Sequence, residues 1–245
     1  DVAPSRGLGD VYKRQDVDGV YTADPRIVPN ARKMEEVTYD EMLEMASLGA
    51  KVLHSRCVEI AKKYGVELLV CSSLNRNSGT MVREKTKMEK MLISGVAADK
   101  NVAKIRVAGL GNDPESTFRL LNLLDRNNLN IDVMIQSLGK DGTKSVSFTV
   151  AKPDMLRTID VLNDNKDLLG IKKLDYDENV AKISVIGAGV RSHSGVAAKM
   201  FGALANAGIN TEMVTTSEIR ITALIDEAYA DQAMRAIHET FLERV

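Results

Sequence analysis

Two stretches of the chain repeat the same succession of apolar and polar positions. The pentapeptide NVAKI occurs at 101–105 and again at 179–183, a separation of 78 residues. Glycine-bearing segments follow both copies, VAGLG at 107–111 and VIGAG at 185–189. A repeat that keeps its glycine positions at a fixed separation indicates a duplicated module.

Each copy predicts the element order β-α-β-β-α-β, because apolar runs of strand length alternate with amphipathic helical patterns. In the first copy we expect strands near 102–109, 130–137, 144–150 and 171–176, and helices near 115–127 and 154–165. In the second copy we expect strands near 180–187, 210–216 and 219–225, and helices near 195–207 and 228–242. This order predicts an α+β, ferredoxin-like module whose helices cover one face of a four-stranded antiparallel sheet. The other face is expected to be apolar and to pack on a second module.

The second copy leaves no room for a fourth strand before Val245. The strand-like run MLISGVA, just before the first copy, can fill that place and would nest the first module inside the second. We therefore predict a strand for the second module over 91–98, a first module over 99–177 and a second module over 178–245.

Turns, helices and one strand are predicted before the repeats. Thr38 and Glu41 form a capping box, which predicts a helix start. A second helix is expected over 52–64, and the apolar run 66–72 predicts a strand buried on both faces. The charged stretch 83–90 is interpreted as a connecting helix.

The first fifteen residues show neither helical nor strand periodicity. We interpret 1–15 as a non-native leader and leave it out of the predicted fold; a flexible native tail is the alternative.

The composition of the chain argues against several classes of function. The chain has 245 residues, 33 Lys+Arg against 34 Asp+Glu, and no Trp, which argues against a nucleic-acid surface. No apolar run approaches the roughly 20 residues that span a bilayer, so no membrane partner is expected. Cys57 and Cys71 fit reduced thiols and a cytoplasmic location. The three histidines are far apart in sequence, and no metal site is predicted.

Three longer motifs resemble a known family. These are DVDGVYTADPR, MLEMASLGAKVLHSRCVEIAKKYGV and GAGVRSHSGVAAKMF followed by TTSEIRI, in this order. Together with the paired modules they resemble aspartate kinase (aspartokinase) with its tandem ACT regulatory domains, from Asp16 to Val245. The resemblance implies that 16–82 is the carboxyl-terminal remnant of an α/β amino-acid-kinase domain. It also implies ATP-dependent phosphorylation of the aspartate β-carboxylate, which opens lysine, threonine and methionine biosynthesis.

The family's amino-terminal Lys-Phe-Gly-Gly-Thr-type segment and its aspartate-binding Glu do not occur in this sequence. Phosphoryl transfer depends on positioning and charge stabilisation, so this chain alone is expected to be inactive and to carry no catalytic residue. A truncated gene product and a natural non-catalytic regulatory subunit or amino-acid sensor both remain open. A generic ACT module serving another enzyme is a third interpretation, which the kinase-like segment disfavours.

The resemblance places ATP, as its Mg²⁺ complex, on the turn-rich segment that opens the kinase-like part. The implied residues are Asp16, Tyr21, Thr22, Ala23, Asp24, Pro25 and Arg26. Chemically, Tyr21 can pack near an adenine, Arg26 can pair with a phosphate, and Asp24 can orient Arg26 or a metal-bound water. The alternatives are a surface turn or a calcium loop, although the spacing of a calcium loop is not met.

The resemblance also implies effector binding by the ACT modules, with lysine and/or threonine as effector and at least a dimeric assembly. In the first module it implicates Asn112, Asp113, Pro114, Glu115, Ser116, Thr117, Asn130, Ile131, Asp132 and Gln136. In the second module it implicates Val196, Ala197, Asn210, Thr211, Ser217 and Glu218.

A glycine-bearing turn before a helix suits an amino-acid carboxylate, because it presents backbone N–H groups and a positive dipole end. The segment from Asn130 to Asp132 is expected to begin a strand and to supply an acceptor for the effector's ammonium group. Glu115 stands where the family has Gly, which adds a negative charge and predicts altered binding at the first turn. Ser194 replaces a usual Pro in the second turn, a milder change.

Overall fold

The computed structural model describes residues 11–15, 18–49, 52–72, 78–85 and 92–242. Its elements begin with β1 (Val11–Gln15), β2 (Glu36–Thr38), α1 (Tyr39–Ser47), α2 (Ser55–Tyr64), β3 (Leu68–Ser72), β4 (Thr80–Arg83), β5 (Gly95–Leu110), α3 (Pro114–Arg126), β6 (Met134–Leu138) and β7 (Lys144–Ala151). They continue with α4 (Met155–Asp164), α5 (Lys166–Leu169), β8 (Lys173–Ile186), α6 (Gly189–Ser192), α7 (Gly195–Asn206), β9 (Met213–Thr216), β10 (Arg220–Asp226) and α8 (Ala230–Leu242).

The described residues fall into two compact units. The first unit contains the chain up to Asp99, Lys182–Ile225 and the part from Tyr229 onward. The second unit contains Lys100–Ala181 and Asp226–Ala228. The first unit therefore holds the kinase-like segment together with most of the second repeat, whereas the second unit holds the first repeat. None of the described helices is long and apolar enough to cross a bilayer.

A four-stranded sheet forms the amino-terminal part of the first unit, in the order β1-β3-β4-β2. The predicted capping box at the start of α1 is confirmed, since the Thr38 hydroxyl accepts from Glu41 N–H while the Glu41 carboxylate accepts from Thr38 N–H. Met42 of α1 and Val58 of α2 are completely buried with Val70 of the sheet. The two helices thus cover the core that positions the preceding turns.

The structure corrects the exclusion of residues 11–15 from the fold, whereas residues 1–10 lie outside the described part. Backbone residues 11–15 form β1 and pair in parallel with the whole of β3, Val11 opposite Leu68 and Gln15 opposite Ser72. The pairing with β3, which is distant in sequence, defines this strand, so the local pattern of the five residues did not reveal it.

Two further predictions in this part are wrong in detail. β3 alternates between buried and half-buried residues and is therefore not buried on both faces. The connecting helix cannot begin at residue 83, because Arg83 is the last residue of β4 and its guanidinium lies 3.5 Å from Glu36 and 3.6 Å from Glu67. Those two carboxylates hold the side chain at the sheet. Residues 86–90 of the predicted helix lie outside the described part.

The second unit has the predicted β-α-β-β-α-β fold, with β6-β7-β5-β8 as the strand order. β5 and β7 pair antiparallel with Ile105 opposite Phe148, and both side chains are buried. Leu120 of α3 and Leu162 of α4 share this core. Since both helices pack on the face that carries Ile105 and Phe148, they lie on one side of the sheet, which confirms the predicted fold class.

On β5 and β7 the opposite face of this sheet is polar, contrary to the expectation of an apolar surface. Lys104 and Arg106 alternate with the buried residues of β5, and Thr149 and Ser147 stand opposite them on β7. Small hydroxyl and long charged side chains can remain hydrated, so this face does not need a second module to cover it.

The second repeat completes the first unit. β9 and β10 pair antiparallel, and α7 packs against α8 through buried residues such as Met200 and Ile237. Ser94 N–H donates to the Ile186 carbonyl at 2.8 Å, and Gly189 N–H donates to the Leu92 carbonyl at 3.0 Å. The segment entering β5 therefore runs beside the end of β8, at the place where the second repeat requires a strand.

Three strand boundaries differ from the sequence-based expectation. The strands expected over 171–176 and 180–187 form one continuous strand, β8, since no glycine or proline interrupts them. β6 begins at Met134 instead of 130, and just before it the Val133 N–H donates to the Thr149 hydroxyl. The related strand β9 likewise begins late, at Met213.

Candidate functional site

The proposed nucleotide segment is one arm of a hairpin in the first unit. Thr22 N–H donates to the Arg32 carbonyl at 2.9 Å, and Met34 N–H donates to the Val20 carbonyl at 2.8 Å. At the tip, Val28 N–H donates to the Asp24 carbonyl at 2.8 Å. This bonding closes a tight turn that presents residues 24–26 at the surface. Asp16, the first residue implied for ATP, lies outside the described residues.

Asp24 and Arg26 form a bidentate ion pair at the hairpin tip. The Arg26 Nη2 lies 2.6 Å from Asp24 Oδ2, while Arg26 Nε and the Arg26 backbone N–H both donate to Oδ1. The hydrogen bonds from the Arg26 side chain hold the pKa of Asp24 below its ordinary value. The guanidinium is thus oriented by Asp24 while remaining 85% exposed, which leaves it accessible to an anion.

Tyr21 belongs to a second polar cluster near the base of the hairpin. Its hydroxyl donates to Asp18 Oδ1 at 2.9 Å, and Lys33 Nζ lies 3.4 Å from Asp18 Oδ2. Burial raises the pKa of Tyr21, and the bond to the Asp18 carboxylate raises it further. Burial acts against ionisation of Asp18, but the Tyr21 hydrogen bond and the Lys33 charge lower its pKa. The ring of Tyr21 is therefore fixed by its hydroxyl.

The remaining residues of the segment differ in accessibility. Pro25 is exposed, but Thr22 and Ala23 are buried, and the Thr22 hydroxyl contacts His238. A side-chain contact from Thr22 to a nucleotide, as the resemblance implied, does not fit this arrangement.

In the first repeat, the turn before α3 uses its own acidic side chain as a helix cap. Asp113 Oδ1 accepts from Glu115 N–H at 3.1 Å and from Arg119 Nη2 at 3.0 Å. Lys144, which the sequence-based list missed, donates to the Asp113 carbonyl at 2.8 Å. Asn112, Pro114 and Glu115 are exposed. The helix N-terminus is thus already paired with a carboxylate of the chain itself.

Other residues implied for the first effector site are brought together only in part. Ser116 is buried and donates to the Gly111 carbonyl, and the Thr117 hydroxyl donates to Gln136 Oε1 at 2.7 Å. Asn130 and Asp132 are exposed in the connection before β6, with Ile131 half-buried between them, and they do not begin a strand as expected.

In the second repeat, α7 begins without a side-chain cap among the described residues. A cavity of about 300 Å³ opens at this helix N-terminus. Its lining comes from Leu92, Ser192, His193, Ser194, Gly195, Val196 and Lys199. Val196 was implied by the resemblance, whereas Lys199 was missed. Lys199 follows Gly195 by four residues, and residues four apart lie on the same face of a helix. This spacing could have predicted that Lys199 lies near the start of α7.

The other implied residues of the second repeat are exposed or half-buried around this part. Ala197 is half-buried, while Asn210, Thr211 and Ser217 are exposed. Glu218 forms an exposed ion pair with Arg191, at 3.0 Å.

Gly187 and Gly189, the glycines of the VIGAG segment, do not supply free N–H groups, contrary to our expectation. Gly187 N–H donates to the Ile219 carbonyl, and Gly189 N–H donates to the Leu92 carbonyl. A Cβ on Gly187 would lie 2.7 Å from the Ile93 Cα, so the missing side chain makes room for the segment entering β5. These glycines therefore serve packing, and the start of α7 offers the available donors.

Two family models match the chain in separate places. The Amino acid kinase family model matches residues 7–72, and an ACT domain model matches residues 183–241. The aspartokinase of Pseudomonas aeruginosa is 42% identical over 229 residues, which cover 92% of this chain and 56% of that relative. The chain thus spans little more than half the length of the curated relatives it matches.

Solved structures agree with these matches. The regulatory subunit of aspartate kinase from Thermus thermophilus is 32% identical with a TM-score of 0.58, and the match covers 61% of this chain and 99% of that one. E. coli aspartokinase III in complex with lysine and aspartate is 26% identical with a TM-score of 0.77, over 95% of this chain and 52% of that one. The kinase-like hairpin and the repeats thus match one and the same group of proteins, and the chain belongs to the aspartate kinase family.

Proposed function

We propose that this chain is the amino-acid-sensing part of an aspartate kinase, with lysine or threonine as the effector. The supporting observation is the start of α7, where uncapped backbone N–H groups and Lys199 adjoin a cavity of about 300 Å³. Both features favour the carboxylate of a free amino acid. The similarity to a structure described as a complex with lysine adds support.

The second repeat is the better site because the corresponding helix in the first repeat is already capped. Asp113 occupies the start of α3 and pairs with Arg119, and the carboxylate of Glu115 stands in the same turn. An effector carboxylate would meet two negative charges there. We therefore assign the effector carboxylate to α7, with acceptors for its ammonium group among Asn210, Thr211, Ser217 and Glu218.

Isothermal titration calorimetry with lysine, threonine and methionine tests this assignment. We expect saturable heat with lysine or threonine, and a dissociation constant raised at least 10-fold by Lys199→Met, about 1.4 kcal/mol. The control is Arg119→Met, since Arg119 is an exposed basic residue near the start of α3 as Lys199 is near the start of α7; it should change affinity less than twofold. Heat no larger than buffer for all three amino acids would contradict the proposal.

For the kinase part, we propose that Arg26 pairs with a phosphate of ATP while Tyr21 and Pro25 line the adenine side. Asp24 already accepts hydrogen bonds from three donor atoms of Arg26, the backbone N, Nε and Nη2. We therefore assign Asp24 to orienting Arg26 and not to ligating Mg²⁺. In the whole protein, ATP would phosphorylate the aspartate β-carboxylate in the cytoplasm. A coupled assay of this chain alone should show no aspartyl phosphate, and measurable turnover would contradict the expectation that this chain alone is inactive.

A non-catalytic regulatory subunit is the second candidate, supported by the match to 99% of the Thermus thermophilus regulatory subunit. Both candidates predict self-association. In the described sheet of the second unit, β6 is an edge strand, and Ile135 and Leu138 on it are exposed. Edge strands offer unpaired backbone groups to another strand, so we propose at least a dimer through β6. Sedimentation of Leu138→Lys should then show a shift toward monomer.

A further inference from the structure

Thr22 lies at the meeting point of the kinase-like hairpin and the second repeat. Its N–H donates to the Arg32 carbonyl at 2.9 Å, and its carbonyl accepts from Val96 N–H of β5 at 2.8 Å. Its hydroxyl accepts from Arg32 N–H at 3.0 Å and contacts His238 Nε2 at 2.9 Å. One residue therefore joins both arms of the hairpin to β5 and to α8.

The Thr22–His238 contact is fully enclosed. Thr22 is 2% exposed and His238 is 0% exposed. A neutral imidazole nitrogen can donate to or accept from a hydroxyl, so the contact holds in either tautomer. A buried polar contact is costly to break, because the lost hydrogen bond is not replaced by one to water. The contact thus fixes Thr22 against α8.

The same face of α8 touches the hairpin a second time. Arg235 lies one helical turn before His238, and its Nη1 donates to the Ile27 carbonyl at 3.5 Å. Ile27 follows Arg26, the exposed guanidinium at the hairpin tip. On its other side α8 packs against α7, whose first turn adjoins the proposed effector cavity. α8 is therefore in contact with both α7 and the hairpin.

We propose that His238 is a positioning residue: through Thr22 it holds the hairpin that carries Tyr21 and Arg26, and it transmits displacement of α8 to that hairpin. This inference rests on the function proposed above for the hairpin and for the start of α7. Thr22 is confined on its opposite side as well, because a Cβ on Gly95 would lie 3.1 Å from the Thr22 carbonyl oxygen.

Amide hydrogen exchange of the complete chain tests the positioning role. His238→Leu removes the polar partner of Thr22, and we expect the Thr22, Arg32 and Met34 amides to exchange at least 10-fold faster. His238→Gln retains a polar side chain and should give a smaller increase, which also covers the case that the leucine variant fails to fold. The control is Thr222→Val, which breaks the buried 2.8 Å contact between the Ser184 and Thr222 hydroxyls without touching the hairpin. Hairpin exchange within twofold of the unmodified chain in both His238 variants would overturn the proposal.

Transmission is tested by repeating the exchange with saturating lysine and then with threonine. In the unmodified chain, the amino acid that binds by calorimetry should change Arg32 exchange at least threefold, and His238→Gln should abolish this change while binding persists. Binding that leaves Arg32 exchange unaltered in the unmodified chain would overturn transmission although the sensing function stands. Absence of binding would contradict the sensing function and transmission together, while the exchange of the His238 variants still decides the positioning role.

Discussion

The two repeats begin with the same pentapeptide but use their outward positions differently. Lys104 of the first repeat is half-exposed, whereas its counterpart Lys182 is buried and pairs with Asp99 at 3.1 Å. Ala108 is half-exposed, whereas its counterpart Ile186 is 0% exposed and belongs to the core that also contains Met42. Duplication therefore preserved the inward face, while the outward face of the second copy became part of the kinase-like core.

The starts of the helices show a second difference between the copies. In the first copy Asp113 caps α3 and pairs with Arg119, so the positive end of that helix is neutralised locally. In the second copy the start of α7 adjoins a cavity next to Lys199. Under the function proposed above, a ligand supplies in the second copy the carboxylate that belongs to the chain in the first, so one fold would yield one structural and one sensing module.

The largest effect is expected from exchanging the outward residues. Ile186→Ala leaves a cavity among completely buried neighbours and should lower the free energy of unfolding by about 3 kcal/mol. The reverse change at the equivalent position, Ala108→Ile, adds a side chain at a half-exposed site and should cost less than about 1 kcal/mol. Urea unfolding followed by circular dichroism measures both. Equal costs would contradict the difference between the two outward faces.

A smaller effect is expected at the glycines of the second copy. Gly187→Ala puts a Cβ 2.7 Å from the Ile93 Cα and 2.8 Å from the Leu92 carbonyl oxygen, so backbone must move. We expect a loss of about 2 kcal/mol. Gly195→Ala is the control, because a Cβ there meets no atom within 4 Å and helix propensity favours alanine. The control should be neutral or stabilising in the same urea experiment; a comparable loss would indicate that crowding by residues 92–93 is not the cause.

The residues that precede α3 and α7 should differ by about 1 kcal/mol in what they contribute to helix stability. Asp113→Ala removes the acceptor for Glu115 N–H and should destabilise α3 by about that amount. Ser194 stands at the same place before α7 but makes no side-chain cap bond, so Ser194→Ala should change stability by less than about 0.3 kcal/mol. Amide exchange within each helix measures the two effects separately. A larger cost at Ser194 than at Asp113 would reverse the proposed division of roles.

Local sequence patterns predicted many of the helices and strands. The features that they did not predict depend on contacts between residues that are far apart in sequence. The capping box at Thr38 and Glu41 and the periodicity of both repeats act within a few residues, so the helices and the module fold could be predicted. The contact of Thr22 with His238 joins residues 216 positions apart, and no local pattern encodes it. From its local sequence Gly187 is predicted to be a turn residue. Its packing role could not be predicted, because the residues that pass beside it, 92–94, are far away in sequence.

The smallest expected effect concerns two equivalent turns, the one that connects β6 to β7 in the first copy and the one that connects β9 to β10 in the second. In the first copy Asp141 Oδ1 accepts from Thr143 N–H at 3.1 Å and from the Thr143 hydroxyl at 2.9 Å, whereas in the second copy Ser217 N–H donates to the Arg220 carbonyl. The Thr143 backbone and hydroxyl hydrogen bonds lower the pKa of Asp141 below its ordinary value. Because the folded state then binds its proton less tightly than the unfolded state, the stabilisation is present above the unfolded pKa and is lost as the pH falls through the folded one.

Asp141 is fully exposed, so this linkage should shift a local titration and leave global unfolding unchanged. Carbon-13 NMR of the Asp141 carboxyl should give a midpoint below that of an unstructured peptide, and Thr143→Val should raise it by removing the hydroxyl donor while keeping the backbone donor. A midpoint at the peptide value in the unmodified chain would mean that the turn is not closed by this side chain. The two copies would then connect their strands by backbone bonds alone, and their difference would be confined to the outward faces and the helix starts.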